Sequence, residues 1–348
     1  MSYDNVLADW RPRALEFERQ LGRVLVEQER PIRLLTIAVF SRGHALLEGG
    51  VGVGKTTMLK AVARALGGGY SRIEGRIDLK PGDLLYYHYI TEDGQIRIDK
   101  GPLLEHGENL TTFFFNEVNR ARPEVHAPLL NVMEERFARA FNRIWRLPYL
   151  LVFADRNRVE KGETDELTAA QRDRFLMEIL LDLPTKPENQ VLLFFDTKFQ
   201  NTDALIEREV REGLLPYREL HEVLYPAVQN GIGATDELKE YLRRLWDATW
   251  HPDAYDVKIA GGKAGEFLDP AKVIEAGAST RGGGLLVRAA RTAAWLNGHD
   301  TIRPEDVHQI FFETVAHRVF FKQLFEGRRS TLARELMGGI LNTIPAPA

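Results

Sequence analysis

The sequence predicts an α/β fold, with a parallel sheet covered on both faces by helices and a smaller all-helical domain after it. Three observations carry this. A short apolar strand, "HALLE" at 44–48, runs into glycines and then into a helical pattern, which is half of a βαβ unit. Further apolar runs at 113–115, 149–154 and 178–183 alternate with helical periodicity, as strands buried on both faces do. Beyond Pro184-Thr185-Lys186-Pro187 the apolar spacing is mainly helical to the end of the chain.

Taken in order, residues 13–40 carry apolar positions at helical spacing (Leu15, Phe17, Leu21, Val24, Leu25, then Ile32, Leu35, Ile37, Ala38), with Pro31 starting a second helix. After the strand at 44–48 a helix is expected from Thr56 to Leu66, stopped by Gly67-Gly68-Gly69. Within 79–104, "YYHYITEDGQIRI" reads as a hairpin turning at Asp93-Gly94, and a second hairpin is expected around Phe141-Asn142. Helical patterns follow at 187–197, 216–227, 235–249, 285–297 and 304–320, with a polar loop at 252–276 that contains Gly261-Gly262. The expected domains are therefore 1–185 and 186–348.

Composition narrows the function. The 348 residues are 44% apolar and 28% charged, an ordinary globular balance. With 46 basic against 50 acidic residues the net charge is −4, which offers no general attraction to nucleic acid or anionic lipid. The absence of cysteine excludes disulfides, thiolate zinc sites and a Cys nucleophile. The N-terminal "MSYDNVLADWRPR" is no secretory signal, and apolar stretches such as "LPYLLVFA" are too short to span a bilayer, so a cytoplasmic location is expected. Nine histidines occur without an H-E-x-x-H pattern, and neither G-x-S-x-G nor N-K-x-D is present.

The sharpest motif is "GGVGVGKTT" at 49–57, which matches G-x-x-x-x-G-K-[ST] between a strand and a helix. Here the loop Gly49, Gly50, Val51, Gly52, Val53 and Gly54 would curl its backbone N–H groups around phosphate oxygens, at the positive start of the next helix. Lys55 would reach the β- and γ-phosphates, Thr56 would offer its hydroxyl to Mg²⁺, and Thr57 continues the cradle. ATP and Mg²⁺ are thus the expected ligands.

Hydrolysis also needs a carboxylate to position water. Glu117 qualifies, at the carboxyl end of the apolar strand "TTFFFNE", where ligands of open α/β sheets bind. From position alone, a solvated glutamate at a strand end would fit as well. The surroundings add weight: "LLEGGVGVGKT", "NEVNRARPEVHAPLLNVMEER", "VFADRN", "AAQRDRFLMEI" and "GASTRGG" occur in an order and spacing that resemble the MoxR group of AAA+ ATPases. The resemblance runs from about Val26 to the C-terminus and takes in "LNGHDTIRPEDV" and "VAHRV".

That resemblance implies a P-loop core with a five-stranded parallel sheet in an αβα sandwich, followed by a helical lid. It implies that Asn157 senses the γ-phosphate or the attacking water and that Arg174 is a finger reaching a neighbouring subunit's nucleotide. Arg172 beside it is the alternative finger. It further implies that Arg281 senses phosphate from the lid, and that Val26 and Glu27 lie where the adenine packs. Hairpins at 79–104 and 136–147 would face a ring pore or partners, and "YYHY" and Trp145 would meet substrate or else pack the hairpins down. The implied assembly is a homo-oligomer, a hexameric ring, acting on a client or cofactor protein with a von Willebrand factor A-type domain.

Five places depart from the group's usual sequence: Asn116 for the metal-side Asp, Val51 in the loop, Pro128 expected to kink the helix after Glu117, "TAAQ" at 168–171, and the glycines 282–284, expected to loosen the start of their helix. Only Asn116 touches the chemistry. Its carbonyl can still accept a hydrogen bond from a metal-bound water. A neutral bond in place of a charge-assisted one loses on the order of 1 kcal/mol. Loss of a general base costs about 10²–10⁴ in rate, and loss of a trans arginine about 10³–10⁵. Slow ATP hydrolysis with a high Mg²⁺ requirement is the expectation, with an ATP-switched scaffold as the alternative.

Overall fold

Seven consecutive residues, Leu110–Asn116, are buried, and Phe113, Phe114 and Phe115 at their centre lose all contact with solvent. A strand without a solvent face needs cover on both sides. Phe113 and Phe115 join a cluster with Leu129, Val132 and Met133. By strand alternation Phe114 takes the opposite face, where the Arg72 guanidinium lies 5.4 Å from its ring centre.

The computed structural model describes residues 2–157, 167–260 and 267–347. Its strands are β1 (Ala45–Gly49), β2 (Gly69–Glu74), β3 (Tyr86–Ile90), β4 (Ile96–Lys100), β5 (Leu110–Asn116), β6 (Phe137–Ala140), β7 (Arg143–Arg146), β8 (Leu151–Asn157) and β9 (Met177–Leu181), with further short strands beyond. The expected parallel sheet is five-stranded, in the order β2-β5-β8-β1-β9. Parallel register sets Ile73 beside Phe115, Phe115 beside Ala154, and Gly49 beside Asn157. The carboxyl ends of β5, β8 and β1 therefore line up along one edge, which is where the candidate site residues fall.

Helices α1 (Tyr3–Val24), α2 (Glu29–Phe40), α3 (Lys55–Leu66) and α4 (His126–Glu135) follow the apolar periodicity closely. Pro128 does not kink a helix. Two short 3₁₀ turns intervene after Glu117, so Pro128 falls in the first turn of α4, where its missing N–H would have had no helical partner. Both expected hairpins form: Gly94 turns β3 into β4 with φ 77°, and Phe141 and Asn142 turn β6 into β7 with φ 55° and 56°, a type I′ geometry. Tyr86 meets Phe141 edge-on at 6.0 Å, and Lys100 lies 4.6 Å from the centre of Trp145. Trp145 thus packs the hairpins down, whereas Tyr87, Tyr89, Ile90, Ile96 and Ile98 remain exposed.

The chain divides into two compact units, one of Ala8–Phe175 and Ile179–Tyr225, the other of Met1–Leu7, Leu176–Glu178 and Pro226–Ala348. Residues 186–225, expected with the second domain, lie in the first of these compact units. Polar bonds that sequence periodicity does not record tie the intervening stretch to α3. Arg64 Nε donates to Val210 O at 2.8 Å, Gly213 and Leu215 donate their N–H groups to Arg64 O and Ala65 O at 3.0 and 2.9 Å, and Lys60 pairs with Asp203 at 2.7 Å.

In the same unit His221 is buried among cations. Burial first, then Arg42 and Arg136, holds its imidazole down to about 2 from an ordinary value of 6.5, and Tyr149 packs edge-on at 5.7 Å. The unfolded chain binds this proton below about pH 6.5 and the folded chain does not. His221 therefore stabilises fully above that pH, and the stability is lost as pH falls through 6.5 toward 2. At about pH 5 the loss is about 2 kcal/mol. Urea melts at pH 7 and 5 should show that slope, and His221→Leu should remove it.

In the second unit, Thr235 caps the helix Asp236–Asp247 and Ser279 caps the helix Thr280–Asn297. Glycines 282–284 do not break the latter. A Cβ on Gly282 would lie 2.5 Å from Arg318 Cδ, so that position lets the fully buried Arg318 approach. The expected loop at 252–276 contains short strands Ile259–Ala260 and Phe267–Leu268; Gly261-Gly262 lie outside the described residues.

Candidate nucleotide-binding and hydrolysis site

The glycine loop is shaped by close approach and by backbone conformation. A Cβ on Gly49 would come 2.5 Å from Leu181 O of β9, so the loop can leave the sheet here only without a side chain. Gly52 and Gly54 hold φ of 79° and 90°, the left-handed region that other residues occupy at a cost. Gly54 caps α3, leaving the first N–H groups of the helix turned toward the loop. Val51 is 80% exposed and Val53 buried, while Gly50, Thr56 and Thr57 are half-buried at the loop and the helix start. Such a nest of N–H groups at a helix N-terminus suits a phosphate chain.

Lys55 lies folded back on this loop. Its Nζ donates to Gly49 O at 2.8 Å and Gly50 O at 3.1 Å, and stands 3.6 Å from Asp155 Oδ2. Asp155 is buried in β8, and its Oδ1 accepts the backbone N–H of Glu117 at 2.5 Å. Burial pushes the Asp155 carboxyl above the usual carboxylate range, opposed by the Glu117 N–H and Lys55. One carboxylate therefore stands between the phosphate lysine and the candidate base. Sequence reading passed over Asp155, although an acid in "VFADRN", near the carboxyl end of a buried strand, is a legible signal.

Glu117 itself sits at φ 52°, an uncommon conformation for a residue other than glycine. A Cβ on Gly75 would meet Glu117 O at 2.1 Å, so β2 also closes in on this turn. The Glu117 carboxylate pairs with Arg120 at 2.6 Å, a second partner that the sequence reading missed. Asn116 is buried and donates its amide to Glu74 Oε1 at 3.0 Å, away from β8. Asn157 lies two residues beyond Asp155, beside Gly49; among the described residues its buried Oδ1 has no hydrogen-bond partner.

The two candidate fingers separate clearly. Arg172 is 5% exposed, with Nε donating to Leu167 O at 2.7 Å. Arg174 Nη2 instead pairs with Glu134 at 2.8 Å, and its side chain is only partly covered. Val26 is half-buried between α1 and α2, next to Leu25, whose Cδ2 would lie 3.1 Å from a Cβ on Gly54. Glu27, also expected at the adenine, directs its side chain toward residues 185–189. Its carboxylate accepts from Thr185 Oγ1 at 2.6 Å, Asn189 Nδ2 at 2.9 Å and the Lys186 N–H at 3.2 Å. These bonds lower its pKa to about 2, chiefly through Asn189 and Thr185. In the other unit, exposed Arg281 stands in the first turn of Thr280–Asn297, where a cation opposes the helix dipole by a few tenths of a kcal/mol or more.

Among the described residues, no group of three or more His, Cys, Asp or Glu could by itself hold a metal ion, and no helix is long and apolar enough to cross a membrane. Residues 44–177 match the model of the ATPase family associated with various cellular activities (AAA), and 269–336 match the AAA lid domain. The chain is 48% identical over 344 residues to protein MoxR of Methylorubrum extorquens, covering 99% of this chain and 98% of that protein. It is 49% identical over 345 residues to protein MoxR of Paracoccus denitrificans, covering 99% of each. Chaperone MoxR1 of Mycobacterium tuberculosis is 28% identical over 332 residues, 94% of this chain and 81% of that one. A crystal structure of a candidate ATPase from Cytophaga hutchinsonii superposes with a TM-score of 0.80 at 26% identity, covering 99% of this chain and 98% of that one. With its nucleotide loop, five-stranded sheet and lid, the chain belongs to the MoxR family of AAA+ ATPases.

Proposed function

We propose that the protein hydrolyses ATP within a homo-oligomeric ring, a hexamer, and uses the cycle to remodel or mature a client protein. The observation that carries this reading is the shared carboxylate of Asp155, which sets Lys55 and the Glu117 turn side by side at the sheet's carboxyl edge. Lys55 releases its hold on Gly49 O and Gly50 O to meet the β- and γ-phosphates. Glu117, freed from Arg120, accepts a proton from water as the water oxygen bonds to the γ-phosphorus and the bond to ADP breaks. Asn157 holds that water or a γ-oxygen, Arg174 of a neighbouring subunit stabilises the departing charge, and Arg281 couples the lid to the phosphates. Thr56 and Asn116 would face Mg²⁺, which when bound neutralises the β- and γ-oxygens.

The exposed face of the β3–β4 hairpin, with Tyr87 and Tyr89, is the proposed client contact, and a von Willebrand factor A-type domain the proposed partner. Kinship with a protein named a chaperone supports the remodelling role. Asn116 favours one second reading, a scaffold that ATP assembles without being consumed. Phosphate release and size-exclusion profiles in ATP, ADP and a non-hydrolysable analogue separate the two. Steady phosphate release with loss of the ring in ADP is the expected result. ATP-dependent assembly with no phosphate release would replace it with the scaffold.

A further inference from the structure

Asn116 leaves the end of β5 without a negative charge, yet the fold buries one on the adjoining strand. Phe115 of β5 registers with Ala154 of β8, so Asn116 and Asp155 are the next residues along the two strands. Alternation sends both side chains to the same face of the sheet. Asn116 turns its amide to Glu74 of β2, on the side of β5 away from β8. Asp155 remains 2% exposed, with one oxygen 3.6 Å from Lys55 Nζ and the other on the Glu117 N–H at 2.5 Å. An isolated buried carboxylate is costly, and these two partners hold it in place.

We propose that Asp155 supplies the metal-side carboxylate that Asn116 lacks, displaced by one strand. The inference rests on the nucleotide-binding reading above. With a nucleotide in the loop, Lys55 moves to the phosphates and the Asp155 oxygen it faced is left to accept hydrogen bonds from water on a divalent cation. A single carboxylate acting through water suits Mg²⁺, which keeps several of its waters and takes its other ligands from phosphate and the Thr56 hydroxyl. It also agrees with the lack of any three-ligand metal cluster among the described residues. Two residues on, Asn157 Oδ1, buried and without a hydrogen-bond partner among the described residues, extends the same polar row toward Gly49. The charge belongs on β8 because β8 lies between β5 and β1, between the base and the phosphate loop.

The test uses the full chain and a fluorescent ATP analogue, reading the Mg²⁺ concentration that gives half the binding signal, with affinity in EDTA as a second readout. Asp155→Asn should raise that Mg²⁺ concentration by about 10–100-fold, as loss of a group acting through a metal's first ligands does. Its affinity in EDTA should change far less. Asn116→Asp combined with Asp155→Asn should return the Mg²⁺ requirement toward wild type, since only the position of the charge has moved. If Asp155→Asn alone is insoluble, the double variant decides: a requirement near wild type supports the assignment, and a raised one overturns it. An unchanged requirement in Asp155→Asn also overturns it. Wild-type protein that binds no nucleotide at any Mg²⁺ concentration would instead remove the nucleotide reading, and this inference with it.

Discussion

Glu117→Gln is expected to lower ATP turnover by about 10²–10⁴ while leaving ATP binding nearly intact. Glutamine keeps the size and reach of the side chain but cannot take a proton from water. The turn that presents it is fixed by backbone, not by the carboxylate: φ is 52°, the N–H is held by Asp155, and Gly75 closes against the carbonyl. Its ion pair to Arg120 joins partly exposed groups and is worth about 0–1 kcal/mol. Stability should therefore barely move. Phosphate release and analogue affinity on the same preparation check this, and a variant that turns over like wild type would remove Glu117 from the role. An ATP-held ring of this variant should also retain its client, which makes it the bait for a pull-down.

The structure separates what sequence can convey from what it cannot. The glycine loop and the three-phenylalanine strand were legible because each imposes a local rule, φ above zero in one case and burial on both faces in the other. β2 was not legible: as an edge strand its burial alternates, and "GYSRIE" offers no apolar run. Helical texture begins at 187, whereas the compact units part at 225/226, since membership of a unit depends on bonds such as Arg64 to Val210. Pro128 was misread for a similar reason, since the start of α4 depends on two 3₁₀ turns that carry no periodic signal. Asp155 shows the limit at the site itself. Its identity was visible, but its place between Lys55 and Glu117 follows from strand order, and strand order is a tertiary fact.

Arg174→Ala should cut turnover by about 10³–10⁵, and the loss should be repaired in trans. Arg172 is the less favoured finger, because it is buried and spends its Nε on Leu167 O within its own chain. Among the described residues Arg174 donates to Ala170 O and to Glu134, and a partly exposed pair of that kind opens for about 1 kcal/mol. The expected reach of Arg174 is outward, to a neighbour's γ-phosphate. Mixing the inactive Arg174→Ala and Glu117→Gln proteins provides the decisive readout. At an interface where the first supplies loop and base and the second supplies the finger, every required group is present, so mixed rings should regain turnover that neither parent has. An arginine acting within its own chain would gain nothing from mixing. Arg172→Ala should instead lower the melting temperature, and mixing should leave that deficit in place, because a buried bond cannot be lent by another subunit.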